Sequence, residues 1–373
     1  LDAPSFLGGF IGVAGNNVTL NIETAPSHSV LWHFTPSKLA GGKPTVTGTV
    51  PGFYDDVSGQ FATYDPTGLA ANADRFAVFS ELVSDLSDPT SRGEGFWIQG
   101  FGAHAQFDGD AKTLDRTLAF GGVAVGGDWM LQDRMTIGGA LGYATGSTTV
   151  SGPYTDSWNN DTDSFFANVH GQYDFGAFRL GFGLSGGLSA HEDKRFVNDN
   201  LAQTNGLTIG QSWASSSYDS LWISPEVTVS KEIAAGNGYV LTPSARLRYG
   251  VERFDGHNEA GSNANATVGD YNVDLGELKL ELAVTKKVGR QVATLRGGYI
   301  GQTSFGDFEN DVSLIGVSQT VSADGISRNQ GFIGGDLQFA LGETAHLKAS
   351  ANAVFSSSGE PTLSGALQFD KSF

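Results

Sequence analysis

From Gly95 onward, apolar and polar positions alternate with a period of two, the mark of strands rather than of the 3.6-residue helical repeat. Twelve such segments start near Gly95, Thr117, Arg134, Asp161, Ala177, Tyr218, Asn237, Val268, Arg290, Arg328, Thr344 and Pro361. The links between them alternate in length. Short ones lie at Gln132-Asp133, Asp174 to Ala177, Ile233 to Gly238, Val288 to Arg290 and Gly342 to Thr344. Long polar ones lie at Phe107 to Arg116, Ser147 to Asn160, His191 to Ser217, Phe254 to Thr267, Ser304 to Ser327 and Ser356 to Glu360. This rhythm collects the short links at one rim and the long ones at the other, as in an up-and-down antiparallel meander.

Each segment has two readable faces. In the second, Val123, Val125, Trp129 and Leu131 oppose Phe120, Gly122, Ala124, Gly126 and Asp128; in the eighth, Leu278, Leu280, Leu282 and Val284 oppose Glu277, Lys279 and Glu281. Alternation alone does not say which face meets lipid, because a soluble sandwich alternates too. Length decides: the segments run about ten residues or more, twice the usual globular strand and enough to cross a bilayer at a tilt. The expected fold is an all-β membrane protein, a twelve-stranded antiparallel transmembrane β-barrel. Trp97, Trp129, Tyr143, Tyr173, Trp222, Tyr239, Tyr249 and Tyr299 would form its interfacial girdles. The polar faces would line the pore with Asp128, His170, Arg179, Glu226, Arg246, Arg248, Glu252, Glu277, Lys279, Glu281 and Arg296, and further along with Asp336 and Lys348.

The stretch ahead of the barrel reads differently. Residues 1–62 hold short alternating pieces such as Asn17 to Ile22 and Pro44 to Val50, too few for an independent core. Asp65-Pro66 then opens a helical pattern with Leu69, Phe76, Phe79, Leu82, Val83 and Leu86 on one side, and Ser87-Asp88-Pro89 closes it. A helix from Pro66 to Leu86 would be about 30 Å long, a length that fits a barrel lumen.

Composition narrows the function classes. Gly is 52 of 373 residues while charged residues are 17%, a balance unlike that of a solvated cytosolic enzyme. With Cys 0 there is no disulfide, thiolate metal site or cysteine nucleophile. A net charge of −18 with no basic stripe sets nucleic acid aside. No window reaches 18 consecutive apolar residues, so no transmembrane helix is expected. The chain opens at Leu1 without a charged leader, which reads as a processed or cropped product.

Together the residues resemble the translocator domain of classical monomeric autotransporters, the type V secretion proteins of the Gram-negative outer membrane. The resemblance runs from Pro66 to Phe373. It is carried by Asn72-Ala73-Asp74-Arg75-Phe76, by Gly95-Phe96-Trp97-Ile98-Gln99-Gly100-Phe101-Gly102, by Gly121 to Asp128, by Ile137-Gly138-Gly139-Ala140-Leu141-Gly142-Tyr143 and by the terminal Phe373. It implies a twelve-stranded barrel with its N-terminal α-helix in the lumen and a passenger carried N-terminally to the cell surface. Residues 1–62 would then be a passenger remnant or autochaperone-like segment, 63–90 a linker with the pore helix, and 91–373 the barrel. The last strand, with Leu367, Phe369 and Phe373 on one face, resembles the signal read by the barrel assembly machinery; equally, Phe373 would serve as an interfacial anchor. Implied partners are outer-membrane lipid and lipopolysaccharide, the assembly machinery and the chain's own passenger, with no cofactor and no metal. The alternative is a passive porin or solute channel whose N-terminal segment stays periplasmic.

Several motifs have plainer readings. Gly183-Leu184-Ser185-Gly186-Gly187 matches a hydrolase elbow and Gly181 to Gly186 a dinucleotide loop, but both sit inside a strand and neither opens a helix. There the small residues are expected to make room for the helix against the wall. The seven His show no metal-ligand spacing, and Asp108, Asp110, Asp115, Glu192 and Asp193 lack the ordered spacing of a Ca²⁺ loop. Asn72, the one Asn of the expected helix, is a candidate for self-cleavage by cyclisation, with Glu226, Glu252 or Asp128 as assisting acids. The plainer reading is that it hydrogen-bonds the lumen wall.

Overall fold

A computed structural model describes residues 7–14, 17–24, 30–34, 48–55, 60–62, 68–87, 94–109, 115–151, 156–199, 211–262, 265–306, 309–314, 317–322, 325–356 and 359–372. Its body is a closed barrel of twelve strands: β1 Gly95–Phe107, β2 Arg116–Gln132, β3 Met135–Ser151, β4 Asp156–Asp174, β5 Arg179–Asp199, β6 Gln211–Ser230, β7 Tyr239–Phe254, β8 Tyr271–Val288, β9 Gln291–Phe305, β10 Ser327–Ala340, β11 Ala345–Phe355 and β12 Thr362–Ser372. Every strand pairs antiparallel with its neighbours in sequence, and β12 closes on β1 from Leu363↔His104 to Ser372↔Gly95. Closure leaves no unpaired edge within the barrel, which is what lets strands cross lipid. The tight turn between β8 and β9 is Gly289-Arg290, with Gly289 at φ 61, a conformation that favours glycine.

The outer face is apolar. Phe96, Ile98, Leu141, Phe165, Leu188, Leu247 and Leu367 point outward, and Leu141 and Phe165 are each 66% exposed. A continuous apolar belt of this kind is covered by lipid. Trp129, Tyr173 and Tyr239 edge it near the short turns. Tyr143 and Tyr249 edge it on the other side, their hydroxyls donating to Asp163 (2.5 Å) and Asp274 (2.6 Å) on the next strand. Trp97 and Trp222 do not belong to these girdles. They are 4% and 1% exposed and face the lumen, because each shares the parity of polar inward neighbours, Gln99 for Trp97 and Ser220 and Ser224 for Trp222.

The strands on the long-loop side extend further than their alternation suggests. Most of His191 to Ser217, read as a connection, belongs to β5 and β6, and most of Ser147 to Asn160 belongs to β3 and β4. Beyond Phe165, Leu188 and Leu221 the outward positions are Asp163, Glu192 and Asp219. Neither face meets lipid there, so hydropathy no longer alternates although backbone pairing continues.

The loops between β7 and β8 and between β9 and β10 join in a four-stranded sheet of His257–Asn258, Ala266–Val268, Glu309–Leu314 and Val317–Ser322. Ahead of the barrel, Leu7–Ala14 pairs with Asn17–Thr24, and Val30–Phe34, Gly48–Asp55 and Gln60–Ala62 pair in turn. Val30 and Leu31 lie parallel to Asn198 and Asp199 at the far end of β5.

The helix α1 spans Leu69–Ser84 and continues as a 3-10 turn, Asp85–Ser87. It begins after Gly68, whose φ of 66 is left-handed and whose missing Cβ would lie 2.4 Å from the Trp158 ring. Pro66, expected to start it, lies outside the described residues. At 16 residues α1 is not long and apolar enough to cross a membrane by itself. Its first turn meets Trp158 and Tyr218, beyond the apolar belt, and its last residue meets Glu226, so it runs from the long-loop rim toward the short-turn rim.

Candidate functional site

The candidate site is the barrel lumen with α1 inside it. Thirteen residues of α1 are buried, and the strands around it divide into two kinds of wall. On one side, β1, β2, β4 and β6 present Trp97, Phe101, Phe120, Phe166 and Trp222, all inward and each under 10% exposed. Four of these rings lie across an inward glycine of the neighbouring strand: Trp97 on Gly126, Phe101 on Gly122, Phe120 on Gly146 and Phe166 on Gly142. A Cβ at Gly142 would come within 2.1 Å of Phe166, so the glycines are what let the rings lie flat on the wall. Phe79 of α1 sits among them, its centroid 5.9 Å from Phe120, 6.0 Å from Phe166 and 5.5 Å from Trp222.

At the level of Glu81 the opposite wall, from β7 and β8, is charged, although nearer the long-loop rim the same strands add Phe254, Tyr271, Val273 and Leu275 to the apolar core and β2 adds a charge, Arg116. Glu81 accepts from Lys279 at 2.8 Å and from Arg246, with Arg248 at 3.4 Å, while Glu277 holds Arg246 (2.9 Å) and Arg248 (2.6 Å) from behind. Nearer the long-loop rim Asp74 pairs with Arg116 at 2.7 Å and with Arg328, and Arg75 meets Glu252 at 2.6 Å, without the alignment of a hydrogen bond. At the other end Ser84 donates to Glu226. Asp74, Glu81 and Asp85 share one face of α1, while Phe76, Phe79, Val83 and Leu86 share the other. The helix is amphipathic against a two-sided cavity.

The other expected lumen residues separate into two groups. Arg179, Glu281 and Arg296, with Asp336 and Lys348, line a cavity of about 430 Å³ on the short-turn side of α1; Glu226, Arg246 and Lys279 reach into the same space. Asp128 and His170 instead pair with each other, Nε2 to Oδ1 at 2.7 Å, both fully buried in the wall. His170 Nδ1 faces Asn168 Oδ1 at 2.6 Å, and Asn168 donates to Ser185. Gly138 makes this possible: a Cβ there would lie 2.3 Å from both Asp128 and His170. Likewise it is Gly250, 2.9 Å from the Phe76 ring by its missing Cβ, that admits the helix, whereas Gly186 and Gly187 of β5 abut the backbone of adjacent strands.

Asn72 is fully buried in the first turns of α1. Its Nδ2 donates to Tyr271 at 2.8 Å and Tyr218 at 3.3 Å, and its backbone N–H to Gly68 O. None of the three expected acids touches it: Glu252 stands behind Arg75, Glu226 is at the far end of the helix, and Asp128 is paired with His170. The carboxylate near Asn72 is Asp193, reached through the Tyr218 hydroxyl at 2.9 Å. Asp193 and His191 lie beyond the apolar belt, where β5 and β6 stand clear of the membrane. Burial pushes the Asp193 carboxyl up to about 7 in spite of hydrogen bonds from Asn160 and Tyr218. Burial holds the His191 imidazole well below its usual range, between Thr162 (3.1 Å) and Ser220 (2.9 Å). Asp193 points inward and Glu192 outward, so the two do not converge on an ion.

At the barrel seam Leu367 and Phe369 face outward on β12, opposite Gly100 and Ile98. Phe373 lies outside the described residues.

A family model, the autotransporter beta-domain, matches residues 96–352. Among solved structures, the translocator domain of autotransporter NalP from Neisseria meningitidis is similar over 82% of this chain and 97% of that chain, at 17% identity and a TM-score of 0.64. The transport unit of the autotransporter AIDA-I from Escherichia coli covers 83% of this chain and 100% of its own, at 15% identity and a TM-score of 0.52. At these identities the likeness is one of fold. No curated protein matches the sequence. The family match spans more than two thirds of the chain, from β1 into β11, and the chain therefore belongs to the autotransporter β-domain family, as an outer-membrane translocator barrel.

Proposed function

We propose that the chain delivers an N-terminal passenger through its own lumen to the cell surface, anchors it there, and is then plugged by α1. The observation that carries this is the direction and fit of the helix. Its N-terminal end lies at the rim of long loops, the extracellular rim of outer-membrane barrels, and its two faces match the two walls of the lumen. Residues upstream of Gly68 therefore leave the barrel on the outside. In this reading residues 1–62 are the end of the passenger, 63–90 the linker and plug, and 91–373 the translocator. The passive-channel alternative needs a periplasmic N-terminal segment, and the direction of α1 opposes it.

The charged lumen residues then hold the plug at one end and keep the remaining cavity hydrated at the other. The outward face of β12, with Leu367 and Phe369, is the surface offered to the barrel assembly machinery, together with the terminal Phe373 of the sequence. Lipid and lipopolysaccharide cover the apolar belt. Asn72 anchors the plug to Tyr218 and Tyr271.

An epitope tag at Leu1 tests the route: the tag is expected to be removed by protease added to intact cells, and a tag reached only after permeabilisation would refute export. Deleting Pro66 to Leu86 tests the plug. Single-channel conductance in planar bilayers should rise severalfold, and an unchanged conductance would refute sealing by α1.

A further inference from the structure

Barrel walls that face water are ordinarily polar, and the aromatic half of this lumen is not. Trp97, Phe101, Phe120, Phe166 and Trp222 do not meet lipid; they line the inner wall, Phe101 and Phe166 6.2 Å apart between centroids, and form one core with the apolar face of α1 that covers them. Whenever α1 is absent from the lumen, this surface is bare to water, which is unfavourable in proportion to its apolar area. During export through the lumen, on the reading proposed above, every segment ahead of α1 passes the same cross-section.

We propose that the aromatic wall is a contact surface for the polypeptide in transit, binding apolar and aromatic side chains of an extended or locally helical segment, and that α1 is the last segment to occupy it. Three observations support this. Four of the five rings, all but Trp222, lie flat against glycines, so they widen the passage while offering their faces to whatever fills it. Aromatic faces accept many side chains without fixed geometry, which suits a moving partner, whereas the ion pairs on the opposite wall fix one partner in one place. The chain that would pass is itself suited to such a wall: residues 1–62 contain Phe6, Phe10, Trp32, Phe34, Phe53 and Phe61 and six charged residues, Asp2, Glu23, Lys38, Lys43, Asp55 and Asp56. Phe79 shows the mode of contact, one ring against three wall aromatics, 5.5–6.0 Å between centroids.

The test uses the full chain, stalled in export by a disulfide-closed loop fused ahead of Leu1, with p-benzoylphenylalanine placed singly at Phe166, Trp222, Arg296 or Lys348. Photo-adducts to the stalled segment are expected at Phe166 and Trp222 in at least fivefold excess over Arg296 and Lys348. Equal yields at the four positions, or an excess on the charged wall, would overturn the aromatic contact and leave translocation standing. No adduct at any position, with the loop still stalled, would overturn passage through the lumen itself. As a second measurement, the double change Phe166→Ala, Trp222→Ala should slow surface appearance of a Leu1 tag severalfold in pulse-chase, with Phe166→Leu, Trp222→Phe restoring the rate. A double alanine variant whose barrel assembles and exports at the wild-type rate would also refute the proposal.

Discussion

At the level of Phe79 and Glu81 the two walls of the lumen hold the same helix by opposite physics. The wall from β1, β2, β4 and β6 offers aromatic faces backed by glycine; the wall from β7 and β8 offers Arg246, Arg248, Glu277 and Lys279. Apolar contact is non-directional and tolerates sliding and rotation. A charge-assisted hydrogen bond is lost with small displacements, and a buried charge without its partner is costly. On the reading proposed above, the aromatic wall supplies affinity for what occupies the pore and the charged wall sets the depth and rotation of α1.

The largest expected effect breaks the charged side. Glu81→Gln would leave Arg246, Arg248 and Lys279 without their shared partner on the helix, facing Glu277, the partly exposed Asp85 and, less directly, Glu226 and Glu281, and removing one partner of a buried ion pair costs about 4 kcal/mol. Frequent full-conductance openings in planar bilayers are expected, with the barrel still resisting SDS at room temperature. Next comes the aromatic side: Phe79→Ala removes the ring that three wall aromatics enclose, at about 3 kcal/mol, and leaves the ion pairs intact. Openings should then be brief flickers, because the helix loosens without losing its register. Indistinguishable gating in the two variants would erase the division of labour between the walls.

The twelve strands and their faces were legible because lipid on one side and water on the other impose parity on every residue, as at Val123, Val125 and Trp129 against Ala124 and Asp128. Parity also contained the side taken by Trp97 and Trp222; residue type, which favours girdles, pointed the other way. Two things left no local signal. Where β5 and β6 rise past Leu188 and Leu221, no lipid enforces alternation, so strand reads as loop. And the partners of α1 come from strands far along the chain, 42 residues away for Asp74 and Arg116, 146 for Asn72 and Tyr218 and 198 for Glu81 and Lys279, distances over which spacing carries no information. The Asp128–His170 pair is of the same kind, joined across β3 by the register that sets both opposite Gly138 and by the space left there.

A pH titration sharpens the comparison at the outer end of the lumen. The raised Asp193 carboxyl binds a proton in the folded state from about pH 4 up to about 7, where the unfolded chain is ionised. The stability it contributes is therefore full at low pH and is lost as pH rises toward 7, with no further change above. Buried His191 and His257, both lowered by burial, act in the other direction: their contribution is full at neutral pH and falls away below about pH 6.5. Glu259 adds negative charge beside Asp193 and is itself held by Arg195 at 2.6 Å. In Asp193→Asn, urea midpoints followed by protease resistance of the extracellular strands should rise more steeply with pH up to about 6.5 than in the wild type, because nothing then opposes the histidines, and should lose the residual decline toward pH 7. A variant that keeps the wild-type slope would remove Asp193 from the account.

The smallest effect belongs to Asn72, where the plug meets both kinds of contact at once. Its carboxamide donates to two phenols, Tyr271 at 2.8 Å and Tyr218 at 3.3 Å, and each neutral hydrogen bond is worth about 1 kcal/mol. Self-cleavage by cyclisation would require Nδ2 to leave both phenols and turn onto its own carbonyl carbon, while the helix holds the backbone N–H on Gly68 O at 2.7 Å. Asn72→Ser, which keeps a donor but shortens the reach, should raise the opening frequency only a few-fold, well below the effect of Glu81→Gln. The barrel and the N-terminal segment should run on a gel as they do in the wild type. A change of processed fragment in Asn72→Ser would assign the residue a chemical role instead, and would make Asp193, through Tyr218, the acid to replace next.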